Sequence, residues 1–116
     1  MPDTIAYKVL TAEQLAALEH EGSFAGAPAD LADGYIHLST ADQLKGTIEK
    51  HFAGQSDLQL AAVDLEALGD AVKWEESRGG ALFPHIYGVP LTLDVVLDYG
   101  PLDYRDDGAI KLPVTG

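Results

Sequence analysis

No cysteine occurs among the 116 residues, which removes disulfide frameworks, cysteine-ligated zinc and thiol catalysis together. Basic residues are scarce. Seven lysines and arginines stand against 19 acids, for a net charge of −12. Such a field repels nucleic acid and anionic membranes, so neither is an expected partner. A small anionic ligand stays admissible, because a local basic spot dominates within about 10 Å at physiological salt. No apolar run approaches the roughly 18 residues of a membrane span. Met1-Pro2-Asp3-Thr4 offers no basic segment followed by an apolar stretch, so no signal peptide is expected and the cytoplasm is the expected location.

What is present suits one globular domain. Hydrophobic residues make up 47% and charged residues 22%, both ordinary for a packed fold. A chain of 12.3 kDa has a native surface of about 6,000 Å² against about 18,000 Å² unfolded, so a single core suffices without disulfides or metal. The expected unit is residues 1–116, with a core over about 5–98 and a surface tail over 99–116.

Ile5 to Leu10 reads as a first strand. Thr11 starts a helix, with Gln14 at capping-box spacing and Leu15 and Leu18 inward, ending near Gly22. Ser23 to Asp33, rich in Gly, Ala, Pro and Asp, reads as a loop. Gly34 to Ser39 reads as a strand. Thr40 and Gln43 repeat the capping-box spacing before a helix with Leu44, Ile48 and Phe52 on its buried stripe. Leu58 to Leu65 is apolar enough for a central strand buried on both faces. Glu66 to Gly69 is a short turn or helical piece. Strands follow at Ala71–Glu75, at Phe83–Tyr87, where Pro84 suits an edge or a strand start, and at Leu93–Tyr99, with Leu93, Val95, Leu97 and Tyr99 on one side. The class is α+β: a mostly antiparallel, split β-sheet with two main helices.

Three segments carry candidate chemistry. In Tyr35-Ile36-His37-Leu38-Ser39-Thr40, strand alternation puts Ile36 and Leu38 on the core face and Tyr35, His37 and Ser39 on the other, beside a helix N-terminus suited to a ligand oxygen. The plain structural alternative is that Ser39 or Thr40 caps the helix and His37 is a structural histidine. In Trp74-Glu75-Glu76-Ser77-Arg78-Gly79-Gly80, Arg78 stands at a glycine loop, and its planar fork suits phosphate or carboxylate; the alternative is an ion pair with Glu75. In Phe83-Pro84-His85-Ile86-Tyr87-Gly88, Phe83, His85 and Tyr87 share a face. If this strand pairs near Tyr35–Ser39, two histidines, two tyrosines and a serine converge, in the manner of aromatic-walled nucleotide pockets. The alternative is an aromatic core edge. His20 should be solvated, and His51 should lie on the Leu44/Ile48/Phe52 side; neither is expected to be catalytic. No zinc helix, phosphate loop, dinucleotide fingerprint or nucleophile elbow occurs. No metal is expected, since the wide spacing of His37 and His85 gives a metal site no specific support.

Taken together, Tyr7-Lys8-Val9-Leu10, Leu31 to Thr40, His51-Phe52-Ala53-Gly54, Trp74-Glu75 with Ser77 to Gly80, and Phe83 to Gly88 resemble the bacterial family known as domain of unknown function 952. The resemblance spans roughly residues 5 to 98. It implies remote similarity to the ADP-ribosyltransferase-like fold, a split sheet that holds NAD in a central cleft. NAD or an ADP-ribose-like molecule is therefore the implied ligand. His37 would contact a ribose, and Tyr87 or Tyr35 would stack on nicotinamide. The family-type catalytic glutamate has no counterpart after Tyr87, which leaves His85 and Arg78 as the substitutes.

The resulting expectation is a polar and aromatic cleft that binds a nucleotide or NAD-derived small molecule, with transferase or hydrolase chemistry as its sharper form. His37 orients ribose hydroxyls, Ser39 and Thr40 supply hydrogen bonds, Arg78 holds phosphate, His85 is acid or base, and Glu75 supports positive charge in the transition state. Phe83 and Tyr87 complete the ligand-binding set. The alternative is a non-catalytic ligand-binding or regulatory protein-interaction module.

Overall fold

Thr11 and Gln14 make both halves of a capping box: the Gln14 N–H donates to Thr11 Oγ1 at 3.1 Å, and the Thr11 N–H donates to Gln14 Oε1 at 2.9 Å. The helix they start, α1 (Ala12–Glu21), ends at Gly22 in the left-handed conformation and buries Leu15 and Leu18. The computed structural model describes residues 4–76 and 80–112. Within them the chain runs β1 (Ile5–Leu10), α1, β2 (Ser23–Phe24), α2 (Pro28–Asp33), β3 (Ile36–His37), α3 (Leu44–His51), β4 (Gln59–Asp64), α4 (Leu65–Leu68), β5 (Val72–Glu76), β6 (Leu82–Ile86), β7 (Leu91–Thr92) and β8 (Val96–Pro101).

Two three-stranded antiparallel sheets, β1-β4-β8 and β3-β6-β5, form the frame, with a small β2-β7 pair beside them. The two sheets meet at one bridge. Tyr7 and Ser39 exchange backbone hydrogen bonds of 2.7 and 2.9 Å, linking β1 to the chain just after β3. This is the expected α+β fold with a split sheet. No helix among the described residues is long and apolar enough to cross a membrane.

Alternation along β1 and β4 builds two cores. Ala6 and Leu10 join Ala61 and Val63, Leu18, Ile36, Leu38 and Ile86 on one side. Tyr7 and Val9 join Leu60, Ala62, Leu44 and Ile48 on the other. Strand β4 is thus the central strand buried on both faces that its apolar run predicts, with Leu60 to Val63 fully buried. Burial of Leu60 contributes about 1.5–3 kcal/mol.

Several expectations are corrected. The expected loop over Ser23–Asp33 contains β2 and the short helix α2. Pro28 takes the first helical position of α2, and Gly34 closes it with φ 86°. The expected strand over Gly34–Ser39 is only Ile36–His37, because Ser39 turns to pair with Tyr7. Pro84 sits inside β6, the middle strand of its sheet, not at an edge. The position works because β3 ends opposite it and Pro84 needs only to accept there, from the Leu38 N–H at 3.0 Å. Leu93–Val95 form a 3₁₀ turn, and β8 begins at Val96; Leu97 and Tyr99 face outward on this edge strand. The tail is more than a surface cover. Leu102, Ile110 and Leu112 pack against the second core.

Candidate functional site

The β3–β6 register places His37 opposite His85. The neighbouring Leu38–Pro84 hydrogen bond makes this the close, non-hydrogen-bonded kind of antiparallel pair, in which side chains approach most tightly. Their rings meet edge to face with centroids 5.2 Å apart. Tyr35 lies over both, at 4.3 Å from His85 and 4.7 Å from His37, and Tyr87 stands 5.0 Å from Tyr35. The two histidine segments therefore converge. Ser39 does not join them. It is buried, and its hydroxyl is 2.8 Å from Thr47 Oγ1. Thr40 is buried as the helix cap, its N–H donating to Gln43 Oε1 at 3.0 Å. Phe83 is buried, and Arg78 lies outside the described residues.

Each histidine is tethered through Nδ1 to a carboxylate. His85 is buried, with Nδ1 2.8 Å from Glu75 Oε1. The same oxygen accepts from the Tyr87 hydroxyl at 2.7 Å. Hydrogen bonding from His85, then from Tyr87, lowers the Glu75 pKa. Bonding to Glu75 pushes the Tyr87 hydroxyl up to about 12. Lys73, opposite His85 in register, holds its ammonium 5.5 Å from the centre of the Tyr87 ring.

His37 leans on Asp30, a residue the sequence reading passed over. Asp30 is 3% exposed and its two oxygens take four contacts. Oδ1 lies 2.6 Å from His37 Nδ1 and accepts from the His37 N–H at 3.0 Å; Oδ2 accepts from the Ala27 N–H and from Lys8 Nζ, both at 2.8 Å. Burial alone would raise the Asp30 pKa. The His37 hydrogen bond and then the Lys8 charge outweigh it and hold the carboxyl far below the usual range. Lys8 occupies the core face of β1 between Ala6 and Leu10, and burial lowers its pKa despite Asp30. Its ammonium also donates to the His37 carbonyl at 3.1 Å. Gly26 makes room for this arrangement, since a Cβ there would come within 2.8 Å of Asp30 Cβ.

His37 Nε2 meets Asp33 Oδ2 at 2.9 Å on the wall of a cleft of about 490 Å³. Tyr35, Lys8 and Asp30 share that wall; Thr11 and Gln14 line the cleft from α1, and Lys50, His51 and Phe52 from the end of α3. His51 is exposed here, beside Phe52 at the C-terminal end of α3. His85, Glu75 and Tyr87 do not line this cleft. Tyr35 also borders a second, more apolar hollow of about 430 Å³ with Ile86, Val89 and Pro90. Among the described residues no group of three or more His, Asp or Glu is placed to hold a metal ion.

This mixed α+β domain has counterparts among known proteins. The model for "Protein of unknown function (DUF952)" matches residues 9–99, and the chain belongs to that family. The crystal structure of protein CC0527 from Caulobacter crescentus is similar at 45% identity, with a TM-score of 0.82 over 93% of this chain and 94% of that one. The solution NMR structure of CC0527 is similar at 45% identity and a TM-score of 0.76, over 93% of this chain and 91% of that one. No functionally curated protein matches the chain.

Proposed function

We propose that the cleft between α2, β3 and the end of α3 binds a nucleotide or NAD-derived small molecule, in the manner of an ADP-ribosyltransferase-like fold working in the cytoplasm. The observation that carries this reading is the wall formed by Tyr35 and His37. It offers an aromatic face and an imidazole to a cleft of about 490 Å³, within the usual range for small-molecule sites. Lys50 from the end of α3 also lines the cleft and adds a cation there, in a chain of net charge −12. Tyr35 would stack on a base or nicotinamide, His37 would hold a ribose hydroxyl, and Lys50 would face the phosphates.

Transferase or hydrolase chemistry is the sharper form. In it His85 acts as acid or base and Glu75 steadies positive charge at the ribose. One observation favours the alternative, a binding or regulatory module without turnover: Glu75 is engaged by His85 and Tyr87 outside the cleft.

The test is calorimetric titration of the protein with ADP-ribose and NAD, with chromatography of the same samples. Saturable binding that Tyr35→Ala and His37→Ala each weaken at least tenfold supports the site. Release of nicotinamide or transfer products would establish turnover, and binding without products would establish the module. No heat of binding and no product at millimolar ligand would remove the nucleotide reading.

A further inference from the structure

The protonation chemistry of His37 follows from its two carboxylates. Asp30 is buried and accepts from Lys8 and from two backbone N–H groups. It stays ionised and can only accept. The 2.6 Å contact therefore requires the proton on His37 Nδ1. Nε2 is then left as the variable atom; it meets Asp33, and both residues line the cleft. A neutral ring would present a lone pair there. The 2.9 Å approach of the Asp33 carboxylate to Nε2 is a hydrogen bond only when Nε2 also carries a proton. Asp33 therefore stands where a ligand hydroxyl would meet Nε2.

We propose that Asp30 is the positioning residue that makes Nε2 the ligand-facing atom of His37, and that Asp33 is an internal occupant of that position which a ligand hydroxyl must displace. This rests on the cleft being a ligand site. Asp33 is suited to leave: its side chain is 51% exposed and it ends α2, just before Gly34. Asp30 is suited to stay, being enclosed by Lys8, Ala27 and His37. The groups facing His37 are Asp30 and Asp33 from α2, Lys8 from β1 through the His37 carbonyl, His85 from β6, and Tyr35; Lys50 and His51 share the cleft from α3. Proton loss from Nε2 and release of Asp33 are one event. Neutral His37 accepts a hydroxyl, as from a ribose; charged His37 holds Asp33. A ligand hydroxyl that donates to Nε2 therefore takes the place of the Asp33 carboxylate.

The experiment is ¹⁵N NMR of the histidine rings across pH 5–9, with no ligand, on the wild type, Asp33→Asn and Asp30→Asn. The neutral wild-type ring should be the Nδ1–H tautomer. Asp33→Asn should keep that tautomer and lower the His37 midpoint by at least half a pH unit, since the partner of the charged form is gone. Asp30→Asn should lose the tautomer preference. Should that variant not fold, Asp33→Asn still decides. An unchanged midpoint in Asp33→Asn would overturn the occupant, and an Nε2–H tautomer in the wild type would overturn the positioning. A second arm uses ADP-ribose: Asp33→Asn should bind it about threefold more tightly at pH 6. Absence of ADP-ribose binding to every protein would sink the nucleotide reading while the ring titrations stand.

Discussion

Tyr35 lies nearly flat on His85, with ring centroids 4.3 Å apart and planes 27° apart, and closes the histidine pair from above. The stack ties the turn after α2 to the middle strand of the second sheet. Such pairs contribute about 0.5–1.5 kcal/mol beyond their area. Tyr35→Ala should cost about 1–2 kcal/mol in urea denaturation, with an unchanged slope. A loss below about 0.5 kcal/mol would mean that the stack does not hold the two elements together.

Asp30 predicts acid sensitivity. Its folded pKa lies below the unfolded value near 4. The sign is then set. Its stabilisation is complete above about pH 5 and is lost as pH falls towards the folded value. Urea midpoints between pH 3 and 7 should show a steeper acid decline for the wild type than for Asp30→Asn. Lys8→Met, which leaves the buried carboxylate without its ammonium, should cost about 3 kcal/mol at pH 7.

Tyr87 should ionise well above the ordinary tyrosine range. Its hydroxyl donates to Glu75 and is pushed up to about 12. Ultraviolet titration of Glu75→Gln should bring that ionisation down towards 10, the ordinary tyrosine value. A wild-type curve that coincides with that of Glu75→Gln would contradict the contact.

Truncation after Gly100 should destabilise the fold by about 3 kcal/mol, because Leu102, Ile110 and Leu112 each bury part of a side chain on the second core. Thermal unfolding of the shortened chain checks this. An unchanged midpoint would return the tail to the role of a surface cover.

Local rules carried far along this chain. Thr11 with Gln14, and Thr40 with Gln43, mark helix starts because capping depends on residues three apart and on little else. The run ahead of Leu65 marks a central strand, because two buried faces leave no polar alternation. Helix α2 escaped because its six residues carry no apolar stripe; Pro28 and Gly34, a first-position proline and a left-handed stop, were the available signals. Lys8 also carried one, as a charge on the core face of a buried strand.

The sequence by itself determined the longer elements, the α+β class and the shared faces of Tyr35 with His37 and of His85 with Tyr87, because pattern and turn chemistry are short-range. Only the tertiary structure decided which polar groups share a site. The Tyr7–Ser39 bridge drew Ser39 inward, the β3–β6 register set His37 against His85, and packing of β1 beside α2 delivered Lys8 to Asp30, 22 residues away. Those pairings depend on how sheets and helices stack at long range, and no local spacing encodes them.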